Sequence, residues 1–206
     1  MRLLSILTVL LLLVACTKHR EIKIIGRNAV TGQGYDGLAY KVVSSKTGNY
    51  GEVYRTEATG NLDANGEAFV SIKQRKGRSY SLRVFEPSNN CYTNEVIQSF
   101  DSPYDVNGTF TFEFAECAYM RQNIVNSNCE GATDIFNFRD KFVYTDWSGW
   151  SYDIMGCFSN TGGDYFKVPA GKRYFQWMVT RPSGVTEGLD SIELAPGEYG
   201  ELNINY

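Results

Sequence analysis

Apolar side chains in this chain recur at every second residue in short runs, and turn residues separate the runs. Glu21 to Gly26 alternates around Ile22 and Ile24, and Ser79 to Glu86 carries Tyr80, Leu82 and Val84 on one side. A period of two belongs to a half-buried strand. Further candidates are Leu38–Ser44, Gly51–Thr59, Glu67–Lys73, Cys91–Phe100 and Gly108–Cys117. The second half adds Tyr119–Asn126, Asp134–Trp147, Trp150–Ser159, Asp164–Val168, Arg173–Thr180, Asp190–Leu194 and Tyr199–Tyr206. Asp63-Ala64-Asn65-Gly66 and Pro169-Ala170-Gly171-Lys172 read as turns between them. The first half holds no helix-period stretch of useful length. With 14 tyrosines, 12 phenylalanines and 20 glycines, the composition fits strands joined by tight turns. The expected fold is all-β: two consecutive antiparallel β-sandwich modules, over 21–117 and 118–206. No low-complexity linker separates them, so they abut near 115–119.

The N-terminus has a different character. Met1-Arg2 is a basic start, and Leu3 to Val14 is Leu, Ile and Val interrupted only by Ser5 and Thr8. That run falls short of the ~20 residues that span a hydrocarbon core, and it reads as the apolar region of an export signal. It ends in Leu13-Val14-Ala15-Cys16, which resembles the lipobox of bacterial lipoproteins. The resemblance implies a signal peptide over 1–15, a tether over 16–20, and a lipid on Cys16 that holds the chain to a membrane. Thr17 stands where the best-studied sorting rules use an aspartate for inner-membrane retention. The resemblance therefore implies the outer membrane, with either leaflet open. With a net charge of −3 and Lys and Arg scattered among acids, nothing suggests nucleic acid, and no such partner is expected.

A second resemblance spans residues 22–86. Asn28-Ala29-Val30-Thr31-Gly32 followed by Tyr35-Asp36-Gly37-Leu38 resembles the opening of carboxypeptidase-regulatory-like, or transthyretin-like, β-sandwich modules. Asp63-Ala64-Asn65-Gly66-Glu67-Ala68-Phe69 is similar to their internal turn. Lys76-Gly77-Arg78-Ser79-Tyr80-Ser81-Leu82-Arg83-Val84 is similar to the strand that follows. Tyr35 departs from the proline common at its place. The matching residues are turn glycines and core aromatics, so they imply a fold and no catalysis. The two-module layout resembles small lipoproteins of outer-membrane-bearing bacteria.

His19 is the only histidine and lies in the tether. The folded body therefore lacks the base of Ser-His-Asp or Cys-His chemistry and any histidine metal ligand. Asp63-Ala64-Asn65-Gly66-Glu67 lacks the ligand run of a calcium loop and reads as a surface turn. Glu52, Glu57, Asp134, Asp140 and Asp164 are scattered acids, and sequence does not show which of them meet. We expect no enzyme, no cofactor and no metal.

Four cysteines follow Cys16, and an even number in an exported chain points to two disulfides. If Ser102–Asp105 is a hairpin tip, Phe100 opposite Gly108 and Cys91 opposite Cys117 belong to one antiparallel register. Cys129 then pairs with Cys157. Asp146-Trp147-Ser148-Gly149-Trp150-Ser151-Tyr152 is the most unusual local sequence. Ser148-Gly149 fits a two-residue hairpin loop, which would set Trp147 opposite Trp150, with Tyr152 diagonal to Trp147. Exposed rings would form a stacking platform for a sugar ring or an aromatic side chain, with Asp146 or Asp153 binding hydroxyls. Buried rings would hold the hairpin or pack against the first module. Alternation places them with Val143 and Ile154, so burial is the expectation. The expected role is a lipid-anchored, non-catalytic binding or assembly protein of the envelope, whose partner is an envelope protein or a glycan. A carbohydrate-binding accessory role through the aromatic hairpin is the alternative, and a carboxylate-dependent hydrolase the more distant one.

Overall fold

The computed structural model describes residues 19–49, 51–73, 75, 77–100 and 108–206. The signal, Cys16 and the Ser102–Asp105 tip lie outside these residues. The described chain is all-β and divides into two compact units. One comprises residues up to Asn28, Gln33–Glu86 and Asn94–Glu113; the other comprises Ala29–Gly32, Pro87–Thr93 and Phe114–Tyr206.

In the first unit, β1 (His19–Asn28) takes in His19 and Arg20, which were expected in the tether, and pairs antiparallel with β4 (Glu67–Lys73), with His19 opposite Lys73 and Ile22 opposite Val70. A second sheet has the order β3 (Gly51–Asn61), β2 (Ala39–Gly48), β5 (Ser79–Val84), β7 (Gln98–Phe100). Period-two burial on both sheets makes the core: Ile22, Ile24, Val70 and Ile72 from one, Val42, Tyr80, Leu82 and Val84 from the other. The Asp63 turn forms as read. The Asp63 carboxylate accepts the Asn65 and Glu67 amides, each at 2.9 Å. Gly66 of that turn accepts the Gly26 amide at 2.9 Å, and the Gly26 carbonyl accepts the Tyr35 amide at the same distance. Three backbone segments cross here so closely that a Cβ on Gly34 would lie 1.9 Å from the Asn65 oxygen. Glycine is needed at this position for space.

The expected strand Cys91–Phe100 is two strands. Its first part, β6 (Asn90–Thr93), pairs with β8 (Thr109–Val125). Its last part, β7, joins the other sheet, where Phe100 faces Tyr80. Phe100 is 5 % exposed and its ring stacks on Tyr80 at 5.5 Å. Burying this aromatic outweighs continuing the ladder. Gly108 is consequently not Phe100's partner, and its carbonyl accepts the Lys23 amide instead. The Cys91–Cys117 disulfide forms all the same, at a Cα separation of 4.9 Å. A register shift between Asn90 and Tyr92 brings Cys91 to it, so a bulge supplies what the expected register does not.

The second unit contains β6, the Phe114–Val125 part of β8, and all later strands. Gly108–Cys117 and Tyr119–Asn126, read as separate strands, are the single strand β8. Ala115 and Ala118 sit beside Phe114 and Cys117, and these small residues let the strand bury both faces through this stretch. β8 takes β11 (Phe166–Pro169) antiparallel and β14 (Tyr199–Asn205) parallel. The second module is therefore not antiparallel throughout, as expected, because β14 pairs parallel with β8. The facing sheet has the order β10 (Ile154–Met155), β9 (Ile135–Phe142), β12 (Gly171–Arg181), β13 (Gly184–Leu194). Met120, Ile124, Leu202 and Ile204 from one sheet and Phe136, Phe175, Trp177 and Val179 from the other form one core. Cys129 and Cys157 are bonded with Cα atoms 5.3 Å apart. Beside them Asp134 and Arg181, with side chains 1 % and 6 % exposed, form an ion pair at 3.5 Å.

Candidate ligand-binding face

The Trp147–Trp150 segment belongs to the second unit and is held by serines. After Phe142 the chain reverses through Val143–Thr145, where Thr145 N–H donates to the Phe142 carbonyl at 3.1 Å. It then runs back along β9. Ser148 and Ser151 donate their amides to the Asp140 and Phe138 carbonyls at 2.8 and 2.7 Å. Their hydroxyl oxygens accept the Asp140 and Phe138 amides, each at 3.0 Å. Side-chain acceptors thus replace backbone carbonyls, and the segment follows β9 without strand geometry. The chain reverses ahead of Ser148-Gly149, so the two-residue loop read there is corrected.

The correction changes what the tryptophans face. They lie on one returning segment and both rings adjoin Arg139. Its guanidinium is 5.0 Å from the Trp147 centroid and 4.7 Å from that of Trp150. Arg139 also donates from Nε to Gln176 at 2.8 Å, its direct partner on β12. Lys141 Nζ is 5.1 Å from Trp147 and 5.5 Å from Tyr174, and Lys172 Nζ is 5.2 Å from Tyr174. The expected burial fails for Val143, at 52 % exposed, and for Trp150, at 42 %. Val143 is exposed because it sits in the turn. Trp147 and Ile154 are half-buried, Asp146 and Asp153 are exposed, and Tyr152 is 96 % exposed. Among the described residues no ion pair joins Arg139, Lys141 or Lys172 to an acid. Asp153 accepts from Asn137 at 2.9 Å.

A second aromatic group on this unit escaped the sequence reading. The parallel register sets Tyr199 beside Tyr119, Glu201 beside Arg121 and Asn203 beside Asn123. Tyr119 and Tyr199 stack at 4.5 Å, and Arg121 lies 5.0 Å over Tyr165. Glu201 accepts from Tyr165 at 3.0 Å, from Asn123 at 3.1 Å, and from Arg121 in an ion pair. Donation by Tyr165 and then by Arg121 holds the Glu201 carboxyl below its ordinary value, and the same bond raises the Tyr165 phenol. Its charges cancel internally, which suits a cross-strand ladder.

Four of the scattered acids are already engaged. Asp134 pairs with Arg181 and Asp140 with Arg173. Glu57 accepts from Ser44, and Glu52 from Tyr54, whose hydroxyl lowers the Glu52 pKa. No cluster of His, Cys, Asp and Glu among the described residues could hold a metal ion.

No protein-family model and no curated protein matches the chain. Among solved structures it is similar to the Bacillus anthracis TIE protein, at 12 % identity and a TM-score of 0.34. That match covers 91 % of this chain and 34 % of the other. It is similar to a streptococcal ancillary pilin at 14 % identity and a TM-score of 0.34, over 91 % of this chain and 62 % of the pilin. The shaft pilin of Lactobacillus rhamnosus GG matches at 9 % identity and a TM-score of 0.35, over 91 % and 98 %. The chain thus spans less than two thirds of the first two. Likeness at this level says nothing of what the chain does.

Proposed function

We propose that the protein is a lipid-anchored, non-catalytic binding protein of the cell envelope, and that it contacts a glycan through the Trp147–Trp150 face. The reading rests chiefly on the exposure of Trp150, 42 %, whose ring lies against Arg139 on a sheet face that also carries Lys141 and Lys172. An indole held in place at the surface by a guanidinium offers a flat, rigid ring for a pyranose at low entropic cost. Asp146 and Tyr152, both exposed, are available for hydroxyl contacts. The anchor is read from Leu13-Val14-Ala15-Cys16, and two disulfides are in keeping with an oxidising compartment.

Two measurements test the reading. Cys16→Ala should release the protein from host membranes after a high-salt wash, since removing the acyl chains removes the anchor. Continued sedimentation would refute the lipid anchor. Trp150→Ala should leave the melting curve in place and weaken retention on immobilised envelope polysaccharide by about tenfold or more. Retention equal to that of the unaltered chain would refute the face.

A further inference from the structure

We infer that the glycan is anionic, with Arg139, Lys141 and Lys172 as the groups that read its charge. This rests on the glycan reading above and adds the chemical class.

The register makes the three cations neighbours. Arg139 and Lys141 are two apart on β9, so both project from the same side of the sheet, about 7 Å apart. Lys141 lies directly opposite Tyr174 on β12, and Lys172 is two residues from Tyr174 on that strand. Tyr174 therefore stands between two ammonium groups, 5.5 and 5.2 Å from its ring. Trp147 in turn stands between Arg139 and Lys141. Rings and cations thus alternate along one side of the unit.

The aromatic contacts hold the cations without neutralising them, because a ring has a quadrupole and no net charge. Glu193 is the cross-strand partner of Lys172, yet the two form no ion pair among the described residues. Three like charges side by side repel one another, and the chain as a whole carries −3. A neutral sugar would stack on the rings and leave that repulsion standing. A uronate polymer relieves it, since each ring that stacks brings a carboxylate to the rim. The Tyr119–Tyr165–Tyr199 group is the internal contrast: its cation, Arg121, is already paired with Glu201.

Affinity electrophoresis of the full-length protein through gels containing polygalacturonate, dextran or polyglutamate tests the inference. We expect retardation by polygalacturonate alone, weakening as salt rises. The Lys141→Gln/Lys172→Gln variant, with an unchanged melting curve, should lose that affinity about tenfold or more. Equal retardation by dextran would overturn the anionic class and leave the glycan reading intact. Equal retardation by polyglutamate would overturn the saccharide. Retardation by none of the three would overturn the inference and the glycan reading together. An unaltered affinity in the double variant would remove the lysines from the site.

Discussion

Replacing Gly34 by alanine tests the close backbone crossing in the first unit. The new Cβ would lie 1.9 Å from the Asn65 oxygen, 2.4 Å from the Asn65 carbonyl carbon and 2.8 Å from the Gly66 nitrogen. All three are main-chain atoms, so no rotamer change relieves the overlap and the Asp63–Gly66 turn must move. That turn is tied down by the Gly26 amide on Gly66 and by the Tyr35 amide on Gly26, both at 2.9 Å. Overpacking costs about 1–3 kcal/mol, and disturbing two backbone hydrogen bonds about 1 kcal/mol each. The alanine also restricts the unfolded chain, which returns about 0.4–1 kcal/mol. The net loss is about 2–4 kcal/mol. Urea unfolding of the chain from Thr17 onward, followed by far-UV circular dichroism, should show it as a midpoint lowered by about 1–2 M. Gly163→Ala is the control, since nothing lies within 4 Å of its Cβ position, and it should fall within about 0.5 kcal/mol of the parent. If Gly34→Ala is as stable as Gly163→Ala, the crossing is looser than described and the steric reasoning fails.

Arg181→Met should destabilise the second unit by about 3–5 kcal/mol, because it leaves the buried Asp134 carboxylate with the Glu130 amide but without its cation. Asp134→Leu together with Arg181→Met should recover part of that loss, and a single variant less than 1 kcal/mol below the parent in urea unfolding (about 1 kcal/mol being an ordinary substitution) would contradict the assignment. Glu201→Gln addresses acid sensitivity. The folded pKa of Glu201 is held below the ordinary carboxylate value, so its contribution is complete above that ordinary value and disappears as pH falls through the folded pKa. The stability gap between parent and variant should therefore stay level from neutral pH to about pH 5 and close in stronger acid. A gap of constant size throughout would show that ionisation of Glu201 plays no part.

Periodicity and turn chemistry, read from the sequence alone, determined the all-β class, the Glu67–Lys73 strand to the residue, the buried row Tyr80, Leu82 and Val84 and the Asp63 turn; both disulfide pairs were legible too, although Cys91 reaches Cys117 through a bulge and not through the expected hairpin register. These features are local or, for the cysteines, a matter of few combinations. A strand's inward face follows from its own alternation, and an Asp can satisfy the amides two and four residues ahead whatever surrounds it. Only tertiary structure decided which strands meet. Phe100 leaves the ladder of its neighbours because the core of the other sheet buries its ring. β14 runs parallel to β8, a choice nothing between Leu194 and Tyr199 announces, and that choice assembles Tyr119, Tyr165, Tyr199, Arg121 and Glu201. The candidate ligand face was half legible. Trp147 and Trp150 were visible as an unusual pair, but their partners were not, because Ser148 and Ser151 satisfy the amides of β9 and move the chain reversal to Val143–Thr145. That shift of a few residues turns two rings expected to face each other into two rings around Arg139, and brings one of them to the surface.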